Sequence, residues 1–254
     1  MSDIWSDGGR KCVRPIAGRG YRIVETQEQA ATTEIVSSLD AQDLLESLLD
    51  DSKPRKRPGS GALHYLLQSP FRYPPLEWGS RFGSTREPGY LYGALAIQTA
   101  MEEFAFYRHF LFQDAVDLAP GRVWTTQHTQ FGFDYRTDCG IQLQLEPFAL
   151  HSEILRHPED YSTTQALGMA MRADGVLAFE YISARDPDQG LNVALSSPEA
   201  LANPLVHQVE QGICSVDAHM VTYRAMGLGH HFPLERYLIA GKLPRPAGSR
   251  SELI

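Results

Sequence analysis

The side chains best suited to chemistry in this 254-residue chain crowd into a short stretch. Arg72, Tyr73 and Arg81 surround a proline-rich turn. Tyr92 follows Arg81 by eleven residues, and Glu103 follows Tyr92 by eleven more. A guanidinium donates hydrogen bonds in a fixed planar fork, which suits a pyrophosphate or a carboxylate. Tyrosines beside arginines make a wall for an aromatic heterocycle that carries phosphates. The same arginines would also suit surface salt bridges to Glu77 or Glu87. Ser183, at the end of "AFEYIS", either donates to an oxygen of a ligand or binds the backbone of its own turn.

Glu102 and Glu103 are separated by helix geometry. "LAIQTAMEEFAFYRHFLF" carries Ile97, Ala100, Met101, Phe104, Tyr107 and Leu111 at helical spacing. A helix turns about 100° per residue. With that stripe facing the core, Glu102 points to solvent, and its neutralisation should be nearly silent. Glu103 falls on the flank. There it is either a partly desolvated acid or a boundary salt bridge to Arg108 or Arg72.

Stepping outward, the elements that must position these groups are mixed. "YRIVET" reads as a short strand and "SLDAQDLLESLLDD" as an amphipathic helix with Leu39, Leu44, Leu45, Leu48 and Leu49 on one face. "KPRKRP" reads as a linker. "GALHYLLQSPFRYPP" passes from a short apolar element into an extended one, and "GYLYGA" has strand character. "RVWTTQHTQFGFDY", "VLAFEYISA" and "LNVALSS" are strand-like. "DYSTTQALGMAMRADG" reads as a helix capped by Ser162 or Thr163 and stopped by Gly175. "SVDAHMVTYRAMG" supplies a last strand. Strands and helices do not alternate as βαβ units, so the expected class is α+β with a mixed or antiparallel sheet. The expected division is an N-terminal, partly helical extension over 1–60, a main domain over 61–245 and a tail over 246–254.

Composition narrows the function classes. With 43% hydrophobic residues, 21% charged residues and a net charge of -8, the chain has an acidic balance that argues against direct nucleic-acid binding, the short run "KPRKRP" notwithstanding. No phosphate-binding loop, dinucleotide fingerprint or nucleophile elbow occurs. His230–His231 lacks a carboxylate at ligand spacing, so no metal is expected. Cys12, Cys139 and Cys214 have no metal or redox spacing, which fits a reducing cytosol with Cys139 and Cys214 as small buried apolar residues. No apolar run approaches bilayer length, so neither a membrane role nor a secreted one is expected, and a cytoplasmic location is.

"FRYPPLEWGSRFG", "GYLYGALAIQTAMEEF" and "ADGVLAFEYISARDPDQGLNVAL" together resemble, in order and spacing, the RES-domain family, over roughly residues 62–200. The resemblance selects Glu103 over Glu102. It implies a fold similar to ADP-ribosyltransferases and a bacterial toxin that degrades NAD as substrate, with no cofactor, using phosphate or water as acceptor. It also implies a cognate Xre-type antitoxin as partner. Carried over by position, Glu103, Arg81 and Tyr92 would be catalytic, and Arg72, Tyr73 and Ser183 would join Arg81 and Tyr92 in binding NAD. In this scheme the arginines take the pyrophosphate and one guides an incoming phosphate. "RFG" departs from the Trp-Asn pair that often follows the second arginine, which leaves the wall at Phe82 and Gly83 open. Protein ADP-ribosylation and a non-catalytic partner-binding module are the alternatives. A homo-oligomer is compatible with all three.

Overall fold

The computed structural model describes residues 3–6, 8–26, 38, 54, 59–73, 75–115 and 121–249. The amphipathic helix expected near residues 38–51 and the basic run at 53–58 lie outside these residues, apart from Ser38 and Pro54. In chain order the elements are α1 (Asp3–Ser6), β1 (Arg14–Glu25), α2 (Tyr65–Arg72), β2 (Leu91–Ala94), α3 (Ile97–Asp114), β3 (Trp124–Gln142), α4 (Ser152–Leu155), α5 (Ser162–Ala173), β4 (Ala178–Ile182), β5 (Leu191–Leu195), β6 (His207–Val216), β7 (Met220–Ala225) and β8 (Leu228–Pro233). The class is α+β with a mixed sheet.

The sheet is organised by β3, whose length gives it two neighbours along one edge. Its first half pairs antiparallel with β6, and its end pairs parallel with β4 through Gly140–Gln142. Along the other edge it meets β1 from Arg14↔Gly140 to Glu25↔His128. β4 continues to β5, β5 to β2, and β2 returns to β1 at Tyr21↔Ala94. The strands β1–β2–β5–β4–β3 therefore close into a ring, and β6–β7–β8 extend from it as a meander. Phe133 fills space inside the ring. Its side chain lies where a Cβ would sit on Gly20 or Gly93, so both positions must stay bare.

Three expectations change here. Residues 14–25 are not an appendage: β1 is a full partner of β3, and only its tail was legible as "YRIVET". The segment after residue 206 forms three strands where one was expected: the chain reverses between Val216 and Met220, and Met226 and Gly227, both at positive φ, turn it again into "LGHHFP". Cys139 is exposed, whereas Cys214 is buried.

Helix α3 lies between two packed bodies. One side, with Met101, Ala105, Phe106, Phe110 and Phe112, packs on Cys214, Val216, Val221, Tyr223 and Phe232 of the meander. Burying a side chain such as Phe106 contributes about 2–3 kcal/mol. The stripe expected to face this core instead leaves Tyr107 and Leu111 exposed. Glu102 is not solvated but 1% exposed. Its carboxylate accepts from Arg236 Nε at 3.1 and 3.0 Å, from Tyr237 Oη at 2.7 Å and from Gln98 Nε2 at 3.0 Å. Phe106 and Phe110 fall on the otherwise polar face of the helix and are buried there, so periodicity did not fix its phase. The partner that decides the matter is Arg236, far along the chain. No helix among the described residues is long and apolar enough to cross a membrane.

Candidate active site

A cavity of about 360 Å³ opens under α3. Sheet register builds its floor. Tyr21 faces Ala94, Ala94 faces Asn192 and Asn192 faces Tyr181, so one cross-strand row crosses β1, β2, β5 and β4. The roof is the helical stripe Ala100, Glu103, Phe104 and Tyr107. Three of the six residues in the stripe that sequence periodicity assigned to the core, Ala100, Phe104 and Tyr107, thus line this cavity.

Glu103 is held from the floor. Its Oε1 accepts from Ser183 Oγ at 2.6 Å and from Asn192 Nδ2 at 2.7 Å. Among the described residues Oε2 has no hydrogen-bonding partner, and Glu103 forms no ion pair. The proposed partner Arg108 turns away to Thr126 and Glu25. Asn192 Oδ1 is a buried acceptor with no donor. This end of the cavity therefore presents two free acceptors, held by a network that fixes the carboxylate. The Tyr181 phenol beside it is pushed well above its usual range by burial, and by the Glu103 charge, so it stays protonated.

The other charged residues of the lining are cationic. Arg81 projects from the loop after Trp78. Its Nη1 donates to the carbonyls of Leu155 (3.3 Å) and His157 (3.0 Å), and its guanidinium lies 4.6 Å from the Tyr161 ring centroid. Its Nη2 is buried with no acceptor. Neither Glu77 nor Glu87 pairs with it; Glu87 lies by Arg172. Arg22 of β1 donates to the Tyr92 carbonyl at 2.9 Å, and burial lowers its pKa to about 10, which still leaves it charged at neutral pH. Arg185 is 4% exposed and stacks 3.9 Å over Phe106. None of the three cavity arginines has a carboxylate partner among the described residues.

The loop that carries Arg81 is fixed from α5 and β2. Gln165 Nε2 donates to the carbonyls of Trp78 (3.1 Å) and Ser80 (3.0 Å), and Thr164 Oγ1 donates to that of Arg81. Gly168 lets α5 approach until the Phe82 carbonyl occupies the place of a Cβ. Tyr92 Oη meets Ser80 Oγ at 2.9 Å and accepts from the Phe82 amide at 3.2 Å. Phe82, the departure from the Trp-Asn pair, is a fully buried core residue against Phe179 and Tyr181.

Of the six residues proposed from sequence, Glu103, Arg81 and Tyr92 line the cavity. Tyr73 is 42% exposed and lines an adjoining groove of about 330 Å³, which shares Arg22, Leu76, Gly79, Ser80 and Tyr92 with the cavity. Arg72 lines neither space and donates to the Pro54 carbonyl at 2.5 Å. Ser183 is a correction: it is fully buried, away from the lining. Its Oγ accepts from the amides of Arg185 (3.1 Å) and Asp186 (2.9 Å) while donating to Glu103. It is a turn cap that aims Glu103, with nothing left to give a ligand. Arg22, Arg185, Asn192 and Tyr161 escaped the sequence reading. The signal available for Asn192 was its place opposite Tyr181 in two strands read as such; Arg22 carried none beyond its strand.

Residues 56–217 match the family model described as RES domain. No curated protein matches the chain in sequence. A chain in the crystal structure of the M. tuberculosis MbcT–MbcA toxin–antitoxin complex is similar at 13% identity, over 84% of this chain and 91% of that one, with a TM-score of 0.46.

Proposed function

The chain belongs to the RES-domain family, and from that premise we propose that it is the toxin of a toxin–antitoxin pair and destroys NAD by cleaving the nicotinamide–ribose bond. The observation that carries this reading is the fixed Glu103 carboxylate, whose Oε2 is free among the described residues, in a cavity whose other charges are arginines with no carboxylate partner among those residues. Nicotinamide leaves as a neutral molecule from a cationic pyridinium, so the demand on the protein is to stabilise positive charge developing at the ribose C1′. Glu103 meets that demand, and Asn192 Oδ1 accepts from a ribose hydroxyl or the carboxamide. Arg22, where cavity and groove join, takes the pyrophosphate in place of Arg72. Tyr92 and Tyr181 form the aromatic wall, and the groove by Tyr73 and Leu76 receives the second half of the dinucleotide. Ser183 acts through Glu103. The acceptor is phosphate or water. The same reading places a cognate Xre-type antitoxin over the cavity mouth, where Leu76 and Tyr107 are exposed, and the pair in the cytoplasm.

The test is purified protein incubated with NAD, with product masses read with and without inorganic phosphate. Release of nicotinamide supports the reading; intact NAD, with no thermal stabilisation by NAD or ADP-ribose, overturns it in favour of a partner-binding module. Biotin-labelled NAD whose label ends on protein overturns it in favour of protein ADP-ribosylation.

A further inference from the structure

We infer that the C-terminal segment Leu243–Ser249 is a strap that positions the cavity arginines Arg81 and Arg185, and that Glu159 is the residue through which it does so. The inference rests on the NAD-cleaving reading for its kinetic readout, not for the strap itself. Its starting point is that one loop holds both arginines. Arg81 Nη1 donates to the carbonyls of Leu155 and His157. Arg185 Nη2 donates to the Pro158 carbonyl at 2.6 Å and to Tyr161 Oη at 2.8 Å. Neutral acceptors aim a guanidinium without cancelling its charge, which stays available to an anionic substrate. The aim is only as firm as the loop, and residues 156–161, between α4 and α5, belong to no helix or strand. From within, the loop is braced by His157 Nδ1, which accepts from the amides of Glu159 (3.3 Å) and Asp160 (2.8 Å).

From outside, the strap grips the loop at a single residue with two bonds. Glu159 Oε1 accepts from the Arg245 amide at 3.1 Å, and the Glu159 carbonyl accepts from the Ala247 amide at 3.0 Å. The strap's remaining contacts fall on elements that carry the rest of the cavity. Arg245 Nη1 donates to Asp114 Oδ1 at 2.8 Å, at the end of α3, and its guanidinium lies 5.1 Å from the Phe110 ring centroid. Gly248 abuts Trp78, which lines the cavity at the root of the Arg81 loop. Leu243 and Ser249 are buried. The strap thus ties α3, the Arg81 loop and the 156–161 loop to one another. Covering the core would need only its buried residues. Glu159 is exposed and buries little, so what its two bonds supply is the placement of the carbonyls beside it. The strap lies beyond residue 217, where the family match ends.

Two variants of the full chain loosen this grip without touching the cavity. Glu159→Ala removes the carboxylate acceptor. Ala247→Pro removes the amide donor: Ser249 N donates to the Pro246 carbonyl at 3.1 Å and Gly248 has a φ of +81°, which makes a type II turn whose second position accepts proline. Glu159→Gln keeps an oxygen acceptor and serves as the rescue. Per folded molecule, kcat/KM for NAD should fall about three- to tenfold in each of the first two variants and stay within about twofold in Glu159→Gln. Tm should move by less than about 2 °C in all three, because the bonds are exposed. Amide exchange across residues 156–161, read by mass spectrometry, should quicken in the first two variants and not in the third. A preserved rate per folded molecule in Glu159→Ala and Ala247→Pro, whatever Tm and exchange do, overturns the positioning role. A lower rate without quicker exchange overturns the loop as its route. Equal losses in Glu159→Ala and Glu159→Gln overturn the hydrogen bond as the link and assign the effect to the Glu159 charge. If the unmodified chain leaves NAD intact, the NAD reading fails and exchange alone decides: quicker exchange at 156–161 keeps the strap, and unchanged exchange overturns it.

Discussion

Glu102 and Glu103 are neighbours on α3, yet they look into opposite surroundings. Behind the helix, Glu102 is matched by Arg236, Tyr237 and Gln98, with Asp188 beyond. In front, Glu103 is held through one oxygen only, and the arginines around it lack anionic partners, among the described residues. The rear cluster resembles a finished structural ion pair: buried, satisfied and closed. The front leaves charges uncompensated at a cost in stability, and such places are where ligands are expected. Burial alone did not separate the two regions; what separates them is whether every donor has found its acceptor.

That contrast can be broken in order of effect. Glu103→Gln should lower NAD consumption by about 10²–10³-fold while leaving the melting temperature nearly unchanged, measured by nicotinamide release and by calorimetry. An unaltered rate would remove Glu103 from the chemistry. Glu102→Gln should do the reverse. It takes a charge from a buried pair whose arginine is partly solvated, so stability should fall by about 2 kcal/mol, or roughly 4–8 °C in Tm, with the rate per folded molecule preserved. A variant as stable as the parent would mean the rear cluster does not hold the fold. Ser183→Ala should cost activity about tenfold, through kcat rather than the KM for NAD, and Ser183→Thr should recover part of it. A change confined to KM would return Ser183 to direct binding. Arg72→Ala should alter activity less than about twofold, since its side chain lies outside both spaces.

The pattern of sequence legibility follows the same division. Short-range features came through: the α3 span, the strands at "GYLYGA", "AFEYI" and "LNVAL", and the stop at Gly175, whose φ of +79° needs no side chain. Glu103, Arg81 and Tyr92 also emerged, because the helix and turn that carry them are local. What failed depends on distant partners. Arg22 reaches the cavity only because β1 lies between β2 and β3, so an arginine in "YRIVET" carries no local mark of function. Arg72 was preferred for its place beside a turn, and the fold sends that helix end away. Ser183 was seen at a strand end, but a serine hydroxyl has one proton, and that proton is spent on Glu103.

The ring has a consequence for where this protein begins as a physical object. The family match starts at residue 56, whereas the strand that seals the ring and delivers Arg22 lies at residues 14–25. A chain cut back to the matched segment would keep Glu103 and Arg81 but bare a long backbone edge on β3, ready to recruit any passing strand. The matched segment and the closed ring thus have different limits, and the ring needs the longer one.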